Sequence, residues 1–213
     1  MRECYRTIKI EASAEYEEKR SRFIADVMPV TNEESAIAFL NETKVRHRMA
    51  RHHVYAYNIA EGVQIKRYSD DGEPQGTGGI PVLEVLEKNK IEDVIVVVTR
   101  YFGGVLLGAA GLIRAYGKAA AMAVERAGVV ERRIADEWNI LIEYPMFQSV
   151  KNELEKNGYC IHRVQYASDI EISAQIPKES GTKFVQRLAD LTNGTAVAEK
   201  VGRSYLQTDV IRQ

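Results

Sequence analysis

Two glycine-rich stretches hold the residues best suited to chemistry. The first, Ser69–Gly79 (SDDGEPQGTGG), carries Asp70, Asp71 and Glu73 within four residues. Carboxylates so close together could hold a magnesium ion or share a proton for acid–base work. They equally make a solvated turn, because Asp-Gly and Glu-Pro are ordinary turn formers. An EF-hand frame fails, since Gly72 stands third from Asp70, and the reading taken is that no metal is bound. The second stretch, Thr99–Gly111 (TRYFGGVLLGAAG), runs from a buried strand into a helix. A strand, a glycine turn and a helix N-terminus together form a natural anion site, because free N–H groups and the helix dipole point at one spot. Arg100 and Arg114 can add charge. Gly103 to Gly108 has the spacing of a phosphate-binding P-loop, but Ala109 and Ala110 stand where lysine and a hydroxyl would be needed. A GxGxxG dinucleotide fingerprint is also missing. The competing account is structural: Gly104, Gly108, Gly111, Ala115 and Ala119 would form one stripe of small residues that lets a helix pack closely.

A third segment, Lys44–His53 (KVRHRMARHH), has four basic side chains, three of the four histidines and no acid. It suits phosphate if those groups face one way, or it is a helix C-terminus whose dipole favours cations. His52 and His53 adjoin on an expected strand, so they point to opposite faces and cannot share a zinc ion without distortion. Tyr55, Tyr57, Tyr68 and Tyr101 could stack on bases, although aromatic residues on strands usually belong to a core. No HExxH, GxSxG or cysteine–histidine nucleophile can be assigned.

Positioning these groups takes a substantial fold. The 213 residues are 45% apolar and 28% charged, a soluble globular composition. Lys and Arg (29) nearly balance Asp and Glu (30), so contact with nucleic acid or an anionic membrane must come from a local patch. Cys4 and Cys160 form no CxxC spacing, which fits a reducing compartment. No apolar run is long enough to span a membrane, so a cytoplasmic location is expected.

Alternation marks strands over residues 5–11 and 23–30, and Thr31–Glu34 opens a helix that ends near Arg48. A hairpin follows, with arms 54–59 and 63–68 turning at Glu61-Gly62. A helix covers 81–89, with Pro81 in its first turn. The unbroken run Val94–Val98 predicts a strand buried on both faces. An alanine-rich helix then reaches Arg126 and is capped by Gly128. From Val129 to Glu137 five charges and no period mark a boundary, giving domains of residues 1–132 and 133–213. The second reads strand 138–144, helix 145–157, strands 159–166 and 170–176, helix 178–192 and strand 195–201. This βαββαβ order is the ferredoxin-like unit, so the fold class expected is α+β in two domains.

The set Arg51-His52-His53, Ser69–Pro74, Gly76-Thr77, Thr99–Gly104 and Gly108 through Leu112 to Tyr116 resembles the signature of the IMPACT/YigZ family. The resemblance implies an N-terminal domain of the ribosomal-protein and elongation-factor domain-IV type, a four-stranded sheet carrying two helices. It implies a C-terminal domain similar to the last domain of elongation factor G. Eukaryotic relatives regulate translation through protein partners, and a translation or nucleic-acid role is the usual proposal for bacterial ones. Relatives often carry a cysteine where this chain has Val54 and a basic residue where it has Ile80, so no thiol chemistry carries over and the loop is less charged.

The function expected is a non-enzymatic cytoplasmic protein, without cofactor, that binds RNA, the ribosome or a translation-associated protein. The residues expected to bind are Arg51, His53, Asp71, Glu73, Gly76, Thr77, Gly78, Thr99, Arg100, Tyr101, Gly103, Gly104 and Arg114. One alternative is a metal-dependent hydrolase of a phosphorylated substrate, built on Asp70, Asp71 and Glu73. Another is a regulator that meets a protein partner through its ferredoxin-like sheet.

Overall fold

A computed structural model describes residues 2–210 as an α+β protein of two compact units. Of these residues, 5–131 with 209–210 form one unit and 2–4 with 132–208 the other. No helix among the described residues is long and apolar enough to cross a membrane.

The larger unit is built on a five-stranded antiparallel sheet of β2 (Ala12–Glu18), β3 (Ser21–Pro29), β4 (His52–Ile59), β5 (Ile65–Ser69) and β6 (Val94–Tyr101), in the order β2-β3-β6-β4-β5. The first strand of the chain, β1 (Cys4–Ile8), pairs elsewhere. The Val94–Val98 run is central and buried on both faces, as its lack of alternation requires. Val94, Val96 and Val98 pack under α2 (Gly79–Lys88) and α3 (Gly108–Ala127), in the core that also holds Phe23, Val82, Leu86 and Tyr116. Ile95 and Val97 face the other way, into a smaller core with Phe39 and Leu40 of α1 (Glu33–Arg46). The sheet thus carries a helix pair on one face and a third helix on the other, with a fifth strand beyond the four the resemblance implies.

One edge strand is β2, whose sequence ASAEYEE turns only alanines and Tyr16 toward the core. It joins β3 through Lys19 and Arg20, both at positive φ (48° and 67°) between the paired residues Glu18 and Ser21. Two-residue hairpins favour this left-handed geometry but ordinarily use Asn or Gly. Each non-glycine residue there costs roughly 1–2 kcal/mol.

Helix ends follow from local chemistry. Asn32 Oδ1 accepts from the Ser35 N–H at 2.8 Å, with Glu33 and Glu34 in the first turn and Lys44 and Arg46 in the last. At the end of α3, Gly128 (φ 72°) closes the helix. The expected small-residue stripe holds from Gly111 through Ala115 to Ala119, all buried. Gly104 lies outside the helix and Gly108 is its exposed first residue, so neither packs against the sheet.

The smaller unit has the ferredoxin-like order: β7 (Val129–Ile142), α4 (Phe147–Lys156), β8 (Cys160–Tyr166), β9 (Ile170–Pro177), α5 (Gly181–Thr192) and β10 (Val197–Asp209). Its strands run β7-β9-β8, with β10 also paired to β7, while residues 5–8 of β1 belong to the larger unit. Val150 and Leu154 of α4 and Phe184 and Leu188 of α5 lie on Ile140, Ile142, Ile170, Ile172 and Ile176. The charged segment 129–137 is the first part of β7: paired backbone and the burial of Val130, Ile134 and Ala135 hold it extended.

Ile95→Ala removes a fully buried side chain beneath α1. It is expected to lower unfolding stability by about 2–5 kcal/mol, read from a denaturant midpoint shift with unchanged slope.

Candidate nucleic-acid interface

Strand register divides the candidate residues between the faces of the sheet. Phe23, Arg100 and His52 are neighbours across β3, β6 and β4, and one position along Ile24, Thr99 and His53 form the next row. Because successive side chains alternate, Arg100 joins the α2–α3 face while Thr99, Tyr101 and His53 join the α1 face.

On the α2–α3 face the two glycine-rich loops are tied together. Arg100 NH1 donates to Glu73 Oε1 at 2.7 Å, and the Tyr116 hydroxyl donates to the same oxygen at 2.7 Å. The Arg100 and Glu73 side chains are only 7% and 4% exposed. The guanidinium carbon lies near two rings, 5.5 Å from the Phe23 centroid and 5.4 Å from that of Phe102. Phe23 meets Tyr116 edge-on at 5.1 Å. Burial, with the adjacent Glu73 carboxylate, holds the Tyr116 phenol protonated far above its ordinary range. Arg100 is therefore neutralised inside the fold, where it fastens one loop to the other.

Ser21 continues this network. Its buried Oγ accepts from Gly103 N–H at 3.1 Å and from Arg100 NH2 at 3.4 Å. A Cβ on Gly103 would lie 2.1 Å from the Arg20 carbonyl carbon, so glycine alone permits this backbone approach. The loop after β6 is thereby seated on the strained Lys19–Arg20 turn. Gly104 follows at φ +82° and is exposed.

The three carboxylates diverge instead of converging on a cation. Asp70 Oδ1 accepts from Gly78 and Gly79 N–H at 2.9 and 2.8 Å, and Oδ2 from Gly76 N–H at 2.8 Å. It caps the start of α2 from eight residues upstream, a role that Gly78 cannot fill. Burial pushes the Asp70 carboxyl up, but the three N–H groups outweigh it and leave it below its ordinary 3.8. Asp71 points to the other face, where Oδ2 accepts from His53 N–H at 2.6 Å and Oδ1 lies 3.8 Å from Lys44 Nζ. Glu73 serves Arg100 and Tyr116. Thr77 is buried, its hydroxyl donating to the Pro74 carbonyl at 2.6 Å. Among the described residues no three acids, histidines or cysteines are grouped to hold a metal.

On the α1 face His47 Nδ1 is 3.1 Å from the Tyr101 hydroxyl, and His53 Nε2 is 3.3 Å from the His47 carbonyl. Burial holds the His53 imidazole below its ordinary value. The hydroxyl of Thr99 is buried without a partner. Arg51 is exposed just before β4.

Arg46 and Arg48, near the end of α1, are exposed as well, and a separate group of cations lines a cleft. A cleft of about 360 Å³ between the β2–β3 turn and α3 is lined by Lys19, Arg114 and Lys118, by the single acid Glu18, and by Tyr16, Leu107, Gly111 and Ala115. Of the residues singled out in the sequence as binding groups, Arg114 alone lies here. Lys118 was readable as its partner, four residues on along the same helix face. Lys19 was not, because β2 and its turn gave no clear strand pattern. The chain from Gly103 to Leu107 links the Arg20 contact to the cleft wall. Beside Gly103 and within this stretch, Phe102 (54%), Val105 (41%) and Leu106 (83%) are exposed.

Comparison with known proteins matches this architecture. The Impact N-terminal domain family matches residues 19–124, and a domain of unknown function, DUF1949, matches residues 140–195. The IMPACT family member YvyE of Bacillus subtilis is 36% identical over 99% of this chain and 97% of its own length. YigZ of Escherichia coli, of the same family, is 31% identical over 83% of this chain and 88% of its own. A crystal structure of a hypothetical protein superposes with a TM-score of 0.59 at 28% identity, covering 94% of this chain and 98% of that one.

Substitutions distinguish the clasp from the cap. Glu73→Ala leaves a buried guanidinium unpaired and is expected to cost about 3–5 kcal/mol, with much of the loss recovered in Glu73→Ala/Arg100→Met, as chemical denaturation will show. Asp70 has a lowered folded-state value, so its stabilisation is present above the unfolded value near 3.8 and is lost as pH falls through the folded one. Asp70→Ala should therefore cost about 1–2 kcal/mol at neutral pH, and a pH series of thermal melts should show the gap to the parent narrowing below that value.

Proposed function

We propose that this chain, which belongs to the IMPACT family, is a non-enzymatic cytoplasmic protein that binds RNA, alone or within the ribosome, through the basic end of its larger unit. The observation that carries this reading is the cleft where Lys19, Arg114 and Lys118 face one acid. With a net charge of −1 the whole protein has no general attraction for polyanions, so this local excess of cations is what can select a phosphate backbone. The reading is further supported by a strained turn that presents Lys19 and Arg20 at a cost in stability, a pattern met where backbone strain serves function. Arg100 and Glu73 act here as a clasp that holds the loops in register, not as ligands for phosphate.

A hydrolytic role for Asp70, Asp71 and Glu73 has little support, because each carboxylate is engaged in a different direction. Filter binding and ribosome cosedimentation across a salt series test the proposal. Affinity should fall as salt rises, and Lys19→Ala, Arg114→Ala and Lys118→Ala should each reduce the log–log slope by about 1 for every phosphate no longer neutralised. Absence of binding to both RNA and ribosomes at every salt concentration would overturn it.

A further inference from the structure

The cleft explains phosphate binding but leaves Phe102 unexplained. This side chain is 54% exposed although its neighbour in the stack, Arg100, is buried. The Arg100 guanidinium carbon lies 5.4 Å from the centre of this ring and 5.5 Å from that of Phe23, and Phe23 meets Tyr116 in an edge-on contact at 5.1 Å. The ring therefore neighbours a guanidinium that Glu73 holds in place, and leaves much of its own surface to water. Its position is further set by Gly103, bonded to Ser21 and packed on Arg20. Five residues later Leu107 lines the basic cleft, so an aromatic surface and a cluster of cations occupy the two ends of one short loop.

We propose that Phe102 is a stacking platform for an unpaired base of a single-stranded nucleic acid whose adjoining phosphates lie against Lys19, Arg114 and Lys118. This rests on the reading of the cleft as a phosphate site and narrows it to single strands, because a base stacked within a duplex has no free face to offer a protein ring. Aromatic rings serve every base, since each has a π-face, while cations track the backbone without regard to sequence. The charge balance of the cleft, three cations to one acid, favours this occupant over an apolar protein segment.

The test is fluorescence anisotropy of the full chain with labelled single-stranded RNA, single-stranded DNA of the same sequence, the corresponding duplex, and a strand carrying abasic positions. The parent protein should prefer single strands to the duplex, and the RNA and DNA arms reveal whether the sugar is read. Phe102→Ala should weaken single-strand binding by roughly 5- to 150-fold, the range for loss of one stacked base, and should change binding of the abasic strand little. Phe102→Leu keeps an apolar cover on Arg100 and should also lose affinity. Phe102→Trp should retain affinity and show fluorescence quenching on binding, against the background of Trp138. Thermal melts establish that each variant is folded.

If Phe102→Leu binds single strands as well as the parent does while the Lys19, Arg114 and Lys118 variants lose binding, the platform is overturned and the phosphate site stands. Equal parental affinity for duplex and single strand would likewise overturn it. If ribosome cosedimentation depends on Phe102 but no free single strand binds, the ring contacts protein or folded RNA and the proposal fails. If the parent binds no nucleic acid or ribosome at all, the platform and the phosphate reading fail together.

Discussion

The buried contact among Arg100, Glu73 and Tyr116 is the constraint on which the candidate interface depends. A charged pair this deeply buried loses much of its Coulombic gain to desolvation, so its principal consequence is geometric. Glu73 accepts from a strand residue and a helix residue with the same oxygen. The loop after β5 is thereby joined to the end of β6 and to the middle of α3. Once Arg100 is fixed, Ser21 can serve it and Gly103 together, and the loop after β6 must lie on the β2–β3 turn. The aromatic neighbours Phe23 and Phe102 complete the enclosure.

This arrangement separates groups that hold the site from groups that face solvent. Asp70, Asp71 and Glu73 satisfy three different sets of donors: the first turn of α2, the backbone of β4 and the Arg100–Tyr116 pair. Their closeness in sequence comes from the turn, which Asp71 enters at φ 43° and Gly72 at φ 86°. The exposed charges come instead from the β2–β3 turn and one face of α3. Glycines matter at this boundary where backbone meets backbone. Gly103 on Arg20 is the clearest case, and Gly79, whose added Cβ would lie 2.9 Å from the Ser69 backbone, is another.

Much of the fold was legible from local pattern. The Val94–Val98 run, the hairpin at Glu61-Gly62, the alanine-rich helix ending at Gly128 and the βαββαβ order of the smaller unit all have strong signals. Two strands did not. In β2 the core-facing positions are mostly alanine and the others serine or glutamate, so hydrophobic alternation is weak. The early part of β7 is rich in charge because much of it is only partly buried, and charge density resembles a linker when burial is unknown. The site was legible as a set of residues but not as an arrangement. His52 and His53, or Thr99 and Arg100, are sequence neighbours that end on opposite faces, as period-two alternation demands.

By itself the sequence determined most of the elements, their order, the family and the glycine-rich loops, because hydrophobic period and turn chemistry are local properties of the chain. Only the tertiary structure decided which charges are used inside the protein and which are left facing solvent. Whether an arginine clasps a loop or faces solvent depends on what lies across from it: for Arg100 that is Glu73, 27 residues away, and for Arg114 it is the turn at Lys19, far earlier in the chain. Such pairings arise from strand register and helix packing, which no short window of sequence contains.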